Sequence, residues 1–255
     1  MMHKIIGLFT TALISILLCT TIQGQEMSPI QTDRPDQTET PAIVPVNHFQ
    51  LESGFNYEQI NKGESKLVIP TLLWKYGLNK HLELRLITEY NHYRYPVSSA
   101  GGITPVKVGF KAKLTDEKGI IPATSFIGHL SLSTLASKEL KAVYVAPLFR
   151  FTMQHTLSKN VSLGYNLGAE WDGDTPEPAF IYTLTTSFAL SAKWGSYIEL
   201  YGFAPQQSRA DHRYDGGITY LLKNNILIDV SGGAGISSNA PSWYGSLGFS
   251  MRLPD

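Results

Sequence analysis

The chain has 255 residues, with 21 Lys and Arg balanced by 21 Asp and Glu, so its formal net charge is zero. That balance, and the lack of a basic stripe, give no reason to expect a nucleic-acid partner, while the length allows one or two domains. Only 16% of residues are charged, low for a soluble domain, and aromatics reach 11%.

The N-terminus reads as a secretory signal peptide over residues 1–24. Lys4 supplies the positive start, IIGLFTTALISILLC (5–19) the apolar core, and Gly24 the last leader residue. A membrane anchor is the competing reading, against which the stretch is short. Leu18 is too large to precede a lipidated cysteine. Cys19 is the single cysteine, so cleavage after Gly24 excludes disulfides, thiol catalysis and thiolate metal sites. The longest later apolar run, VYVAPLF (143–149), falls far short of the roughly 20 residues a spanning helix needs. The exported chain is then either soluble or a closed membrane barrel.

Residues 25–47 form a polar segment. Its stretch TDRPDQTETP (32–41) holds two prolines, four charged residues and no aliphatic side chain. One reading is a disordered tail. The other is a hatch folded into the barrel, with Arg34 pairing with Glu52, Glu83, Glu89 or Glu170, and Asp33 and Asp36 pairing with Lys107, Lys111, Lys113 or Arg150. Proline would hold such a segment extended without competing for strand pairing.

From residue 48 onward, apolar and polar residues alternate with the period of a strand. In PVKVGFKAKL (105–114), Val106, Val108, Phe110, Ala112 and Leu114 oppose Lys107, Gly109, Lys111 and Lys113. About twelve strands are predicted, near 48–58, 66–76, 82–93, 105–114, 122–135, 142–155, 161–171, 179–190, 196–204, 213–222, 226–236 and 242–253; ten is the alternative. Most reach ten residues, whereas ordinary strands average about 5–6 and membrane-spanning ones need about 9–11. One face is apolar. The other carries Gly, Ser, Asn, Lys, Glu and Arg, and Trp74, Tyr76, Tyr93, Trp171, Trp194 and Trp243 stand near strand ends as candidate interfacial girdles. Short connections such as GLNKH and LKNN alternate with mostly longer ones. The fold class is all-β: a transmembrane antiparallel up-and-down β-barrel over 48–253. Three features resist. KLVIPTLLWKY is apolar on both faces, strands nine and ten have no clear phase, and Pro70 and Pro147 fall mid-strand, where bulges are expected.

TDRPDQTETPAIVPVNHFQLESGF, the strand ending WKYGLNKHLELRL, and the closing GGITYLLKNNILIDVSGGAGI and WYGSLGFSMRL resemble the outer-membrane barrel family of transporters named for phenol meta-pathway degradation. The similarity covers nearly the whole mature chain. Its most specific piece is Asp33-Arg34-Pro35-Asp36 followed by Glu52 and Gly54. Asn47-His48 stands where members often have a glycine. The resemblance implies a barrel passing small solutes, apolar or aromatic ones among them, and supplies no catalytic or binding residues.

Function is read accordingly: an outer-membrane barrel, in contact with the lipid bilayer, that lets small solutes through. Lys107, Lys111 and Lys113 are the candidate solute contacts, three cations on one strand face. The near balance of inward charges fits internal ion pairs in a narrow or plugged bore, or a water-filled channel. A structural or adhesion barrel with a sealed lumen is the first alternative. A lipid hydrolase using His129 and Ser131, two apart on one strand face, is the second; it lacks an identifiable orienting acid. The seven His are scattered without metal-ligand spacing, and GGAG (232–235) opens no helix, so neither a metal, a phosphate loop nor any other cofactor is indicated.

Overall fold

The computed structural model describes residues 27–254. The signal-peptide reading of residues 1–24, including Cys19, lies outside the described residues.

The described residues build one antiparallel sheet from β1 (Phe49–Asn61), β2 (Glu64–Asn79), β3 (Leu82–Arg94), β4 (Ser99–Ile103), β5 (Val106–Thr115), β6 (Ala123–Leu132), β7 (Ala146–Ser158), β8 (Val161–Glu170), β9 (Ala179–Ala189), β10 (Trp194–Pro205), β11 (Asp211–Lys223), β12 (Ile226–Gly235) and β13 (Trp243–Leu253). Neighbours in sequence pair in space, except β4 with β5. β1 pairs with β13, which closes the sheet on itself. β4 and β5 both pair with β3, at successive heights. They are two halves of one stave interrupted at Thr104-Pro105, so the thirteen strands make a closed barrel of twelve staves. Full closure removes the sheet edges that lipid could not satisfy.

The alternation resolves into an apolar outside and a polar inside. On β8, Leu167 is 56% exposed and its neighbour Asn166 fully buried. Phe55, Leu84, Phe151, Ile198 and Leu247 are likewise exposed, while Gln50, Glu83, Lys111, Thr152 and Ser250 are buried. Trp74 against Phe49, and Tyr57 against Trp243, form aromatic pairs on the outer face. Tyr93 does not join a girdle. It lies in phase with inward Asn91, whose amide donates to its hydroxyl at 3.2 Å, and it faces the lumen.

The three resistant features have physical explanations. Between Val68 and Thr71 the β2–β3 register slips, and Pro70, which has no N–H to give the ladder, sits in that irregularity. The slip shifts the alternation, so Val68 before it and Leu73 after it both point inward and are buried; hence the strand reads as apolar on both faces. Pro147 is not mid-strand. β7 starts at Ala146, so Pro147 occupies an end rung. In β10 and β11 the inward face carries Tyr197, Tyr201, Glu199 and Asp215, all buried. Large aromatics in the lumen blur the apolar-out rule there.

One end of the barrel carries two-residue turns at 80–81, 159–160 and 224–225. The other carries the longer loops 133–145, 171–178 and 236–242. These are called the turn end and the loop end. At the loop end, β4 is capped by two short 3-10 turns, Ser133–Leu135 and Lys138–Leu140, where Ser137 bonds to the Ile103 backbone through both its N–H and its hydroxyl.

Residues 28–46 lie inside the barrel. They enter at the turn end, where Ile30 N–H donates to Asn224 O at 2.7 Å and Arg252 donates to Ser28 O at 2.7 Å. They return to the same end, where Val46 bridges Gly77. Gly77 is required at this crossing, since a methyl group there would meet the carbonyl oxygens of Val44 and Pro45. Asn47 then turns the chain into β1 with φ 60, a left-handed conformation that Asn tolerates and most residues do not.

Candidate functional site

The inserted segment is extended and has no strand beside it, so its backbone N–H groups must find side-chain acceptors. The barrel wall supplies carboxylates. Glu52 accepts from the N–H of Asp33 and Arg34 at 2.9 and 3.1 Å. Glu199 accepts from Gln37 and Thr38, both at 2.8 Å. Glu83 accepts from Val44 at 2.9 Å, and the Asn166 amide oxygen from Glu39 at 2.8 Å. Thr38 adds hydroxyl contacts to Thr183 at 2.6 Å and Glu199 at 2.5 Å.

Asp33 is the charge centre of the insertion. Its carboxylate meets Lys75 of β2 at 3.0 Å, Arg85 of β3 at 2.9 Å and Lys111 of β5 at 2.7 Å. It also accepts from Thr40 N–H at 3.1 Å, which ties the two legs of the segment together. Buried charges need both opposite charge and hydrogen bonds, and this network provides them: Lys75 also meets Glu52, and Arg85 also meets Glu83 and Glu39.

Arg34 is held differently. Its guanidinium reaches Asp229 at 2.9 Å and the Ser246 hydroxyl at 2.9 Å, so its ion-pair partner is none of the four glutamates expected. Glu52 serves instead as a backbone acceptor and as a partner of Lys75. Arg34 lies over Gly54 and Gly248, which face each other across β1 and β13. A methyl group on either glycine would collide with the guanidinium. The spacing of Asp33-Arg34 with Glu52 and Gly54 is thus one docking device: an amide acceptor and a seat. Asp36 forms no ion pair among the described residues.

The insertion divides the lumen. A cavity of 440 Å³ opens toward the turn end between the segment and the wall from β7 to β11. Toward the loop end lie one of 320 Å³ beside β1–β3 and one of 470 Å³ beneath the loops. Arg34, Pro35, Asp36 and Glu39 line both the turn-end cavity and the 320 Å³ cavity, so a single thickness of chain separates them. The two loop-end cavities share Lys66 and Glu89.

The sequence pattern of the family described as "Putative MetA-pathway of phenol degradation" matches residues 32–253, from the inserted segment to the last strand. The chain belongs to this family. Among curated proteins, none matches. Among solved structures, an outer membrane channel from Pseudomonas putida F1 is similar in fold, with a TM-score of 0.70 at 11% identity over 86% of this chain and 99% of that one. The NanC porin has a TM-score of 0.52 at 11% identity over 80% and 100%, and the KdgM porin 0.51 at 10% over 79% and 98%. At such identities the likeness shows the fold.

Within this phenol-degradation family member, the three lysines of β5 share an inward face but do not form one site. Lys111 is fully buried under the insertion and paired with Asp33. Lys113 pairs with Asp116 near the turn end. Lys107 alone lines the 470 Å³ cavity. Strand geometry put them on one face; the insertion, invisible to alternation, divides their environments. His129 and Ser131 both line the same cavity, and neither ring nitrogen of His129 makes a hydrogen bond, so no bond joins the pair. Gly233 of the GGAG stretch leaves room for Asp215 and Tyr244, a packing role. Among the described residues no group of His, Cys, Asp and Glu is arranged to hold a metal ion.

At the rim, partial burial disfavours the charged form of Asp172. The backbone N–H groups of Thr175 and Asp174 outweigh that and hold its carboxyl below the usual range. The loop residue therefore stays ionised near neutrality.

Proposed function

We propose that this protein is an outer-membrane channel for small solutes, exported through the leader at 1–24, with its turn end in the periplasm and residues 28–46 acting as a hatch. The observation that carries this reading is the layout of the lumen: cavities toward both ends, parted by the inserted segment. The solved barrels of like fold, one titled an outer membrane channel and two titled porins, support it. The lining mixes polar and apolar side chains, so polar solutes would find partners throughout. Apolar or aromatic ones, the class implied by the family resemblance, would find Val68, Leu73 and Ile87 beside the 320 Å³ cavity, Met153, Val161 and Phe188 beside the 440 Å³ one, and Leu148 and Trp171 beside the 470 Å³ one. Passage, and no chemistry, is the role assigned to His129 and Ser131; lipid hydrolysis that Ser131→Ala abolishes would overturn that assignment.

A sealed structural barrel is the second reading, favoured by how completely Asp33 is satisfied. Planar-bilayer recording separates the two. Discrete current steps support the channel. Silence, together with no uptake of hydrophobic compounds into proteoliposomes, supports the sealed barrel. Orientation is tested by introduced cysteines in intact cells: Ser99→Cys and Asp174→Cys should label from outside, while Lys80→Cys and Asn224→Cys should not. The opposite pattern would invert the assignment.

A further inference from the structure

Most lumen charges are engaged by the insertion; a second set, none of it in an ion pair among the described residues, converges on the 470 Å³ cavity beneath the loops. Lys66 of β2 and Lys107 of β5 stand on one wall, with Glu89 between them. Glu170 of β8 and Asp172 and Glu177 of the following loop stand on another. Among the described residues no ion pair crosses this space, since every ion pair of the lumen engages other residues. Lys107 meets the charge of Glu89, and among the described residues neither Lys107 nor Glu170 makes a side-chain hydrogen bond. Asp33, Lys75 and Arg85, by contrast, each meet two or more opposite charges.

We propose that this cavity selects zwitterionic solutes of amino-acid to dipeptide size, with the carboxylate of the solute toward Lys66 and Lys107 and its ammonium toward Glu170 and Asp172. The proposal rests on the channel reading above and deepens it. Opposed charges on two walls create a field across the opening, and a solute carrying both signs is stabilised by both walls when it aligns. An anion is drawn to one wall and repelled by the other. A neutral molecule gains little from either. The volume lies within the range of small-molecule sites, about 300–1,000 Å³.

The test is uptake of four labelled solutes of nearly equal size into proteoliposomes: alanine, lactamide, lactate and alaninamide. Alanine should enter faster than lactamide by roughly threefold, the factor a solvent-exposed ionic contact supports, and faster than either singly charged solute. The double variant Lys107→Gln/Glu170→Gln, checked for folding by its heat-sensitive gel mobility, should bring the alanine-to-lactamide ratio close to one. Equal entry of alanine and lactamide in the unaltered protein overturns the proposal and leaves the channel reading standing. So does alaninamide outrunning alanine, which would mean plain cation preference, or a ratio unmoved in the double variant. Entry of none of the four removes the channel reading itself.

Discussion

Asp33 holds the insertion by meeting three cations that three different strands bring to one point. Asp33→Asn keeps the volume and removes the charge, leaving Lys75, Arg85 and Lys111 without their common partner. Breaking a buried ionic contact of this kind costs on the order of 3–5 kcal/mol. The variant should unfold at lower temperature in detergent and be cut by protease within 28–46, where the unaltered protein resists. An unchanged unfolding midpoint would show that Asp33 is not the anchor. Gly54→Ala should act more gently, because the atoms it displaces are the far end of Arg34; the loss there is the exchange between Arg34 and Asp229. Gly77→Ala meets backbone carbonyls instead and should be the more damaging of the two by thermal unfolding. The importance of Asp33, Arg34, Glu52 and Gly54 was legible as a pattern. Asp229, the partner of Arg34 far along the chain, was not, since nothing local to either residue announces the other.

Strands were legible because lipid outside and a polar lumen inside impose a strict period of two, and the predicted spans match β1–β3 and β5–β13 to within a few residues. What alternation misses is any place where the period breaks. The slip at Pro70 carries Val68 and Leu73 into the lumen, and the interruption at Thr104-Pro105 divides one stave into β4 and β5, so SAGGI reads as loop. Tyr93, Tyr197 and Tyr201 mislead for another reason: a tyrosine has an apolar body and a polar tip, and suits either face. The entry into β1 gives a local test. Asn47 sits at φ 60, so Asn47→Gly should fold as well as the unaltered chain. Asn47→Val should lose roughly 1–2 kcal/mol, the penalty for a left-handed L-residue, and more if the branched side chain clashes. Equal thermal midpoints for the two variants would mean that the turn relaxes.

At the scale of the molecule, an inside-out barrel and an inserted segment explain the low charge content and the odd composition of TDRPDQTETP together. The segment lacks aliphatic side chains because its surroundings are carboxylates, amides and hydroxyls, and it needs proline because a free strand edge inside a closed barrel would have nothing to pair with. Composition could suggest such a segment but not where it lies; only the convergence of Glu52, Glu83, Asn166 and Glu199 on its amides fixes that position. The most direct test of its role as a hatch tethers it in place. Thr38 and Thr183 have hydroxyls 2.6 Å apart, and Cys19, the only native cysteine, lies in the proposed leader. With Thr38→Cys and Thr183→Cys, oxidation should pin the segment to β9. The account predicts few or no current steps in planar bilayers while the bridge is oxidised, and steps that appear or enlarge on reduction. Identical currents in both states, or none in either, would contradict it.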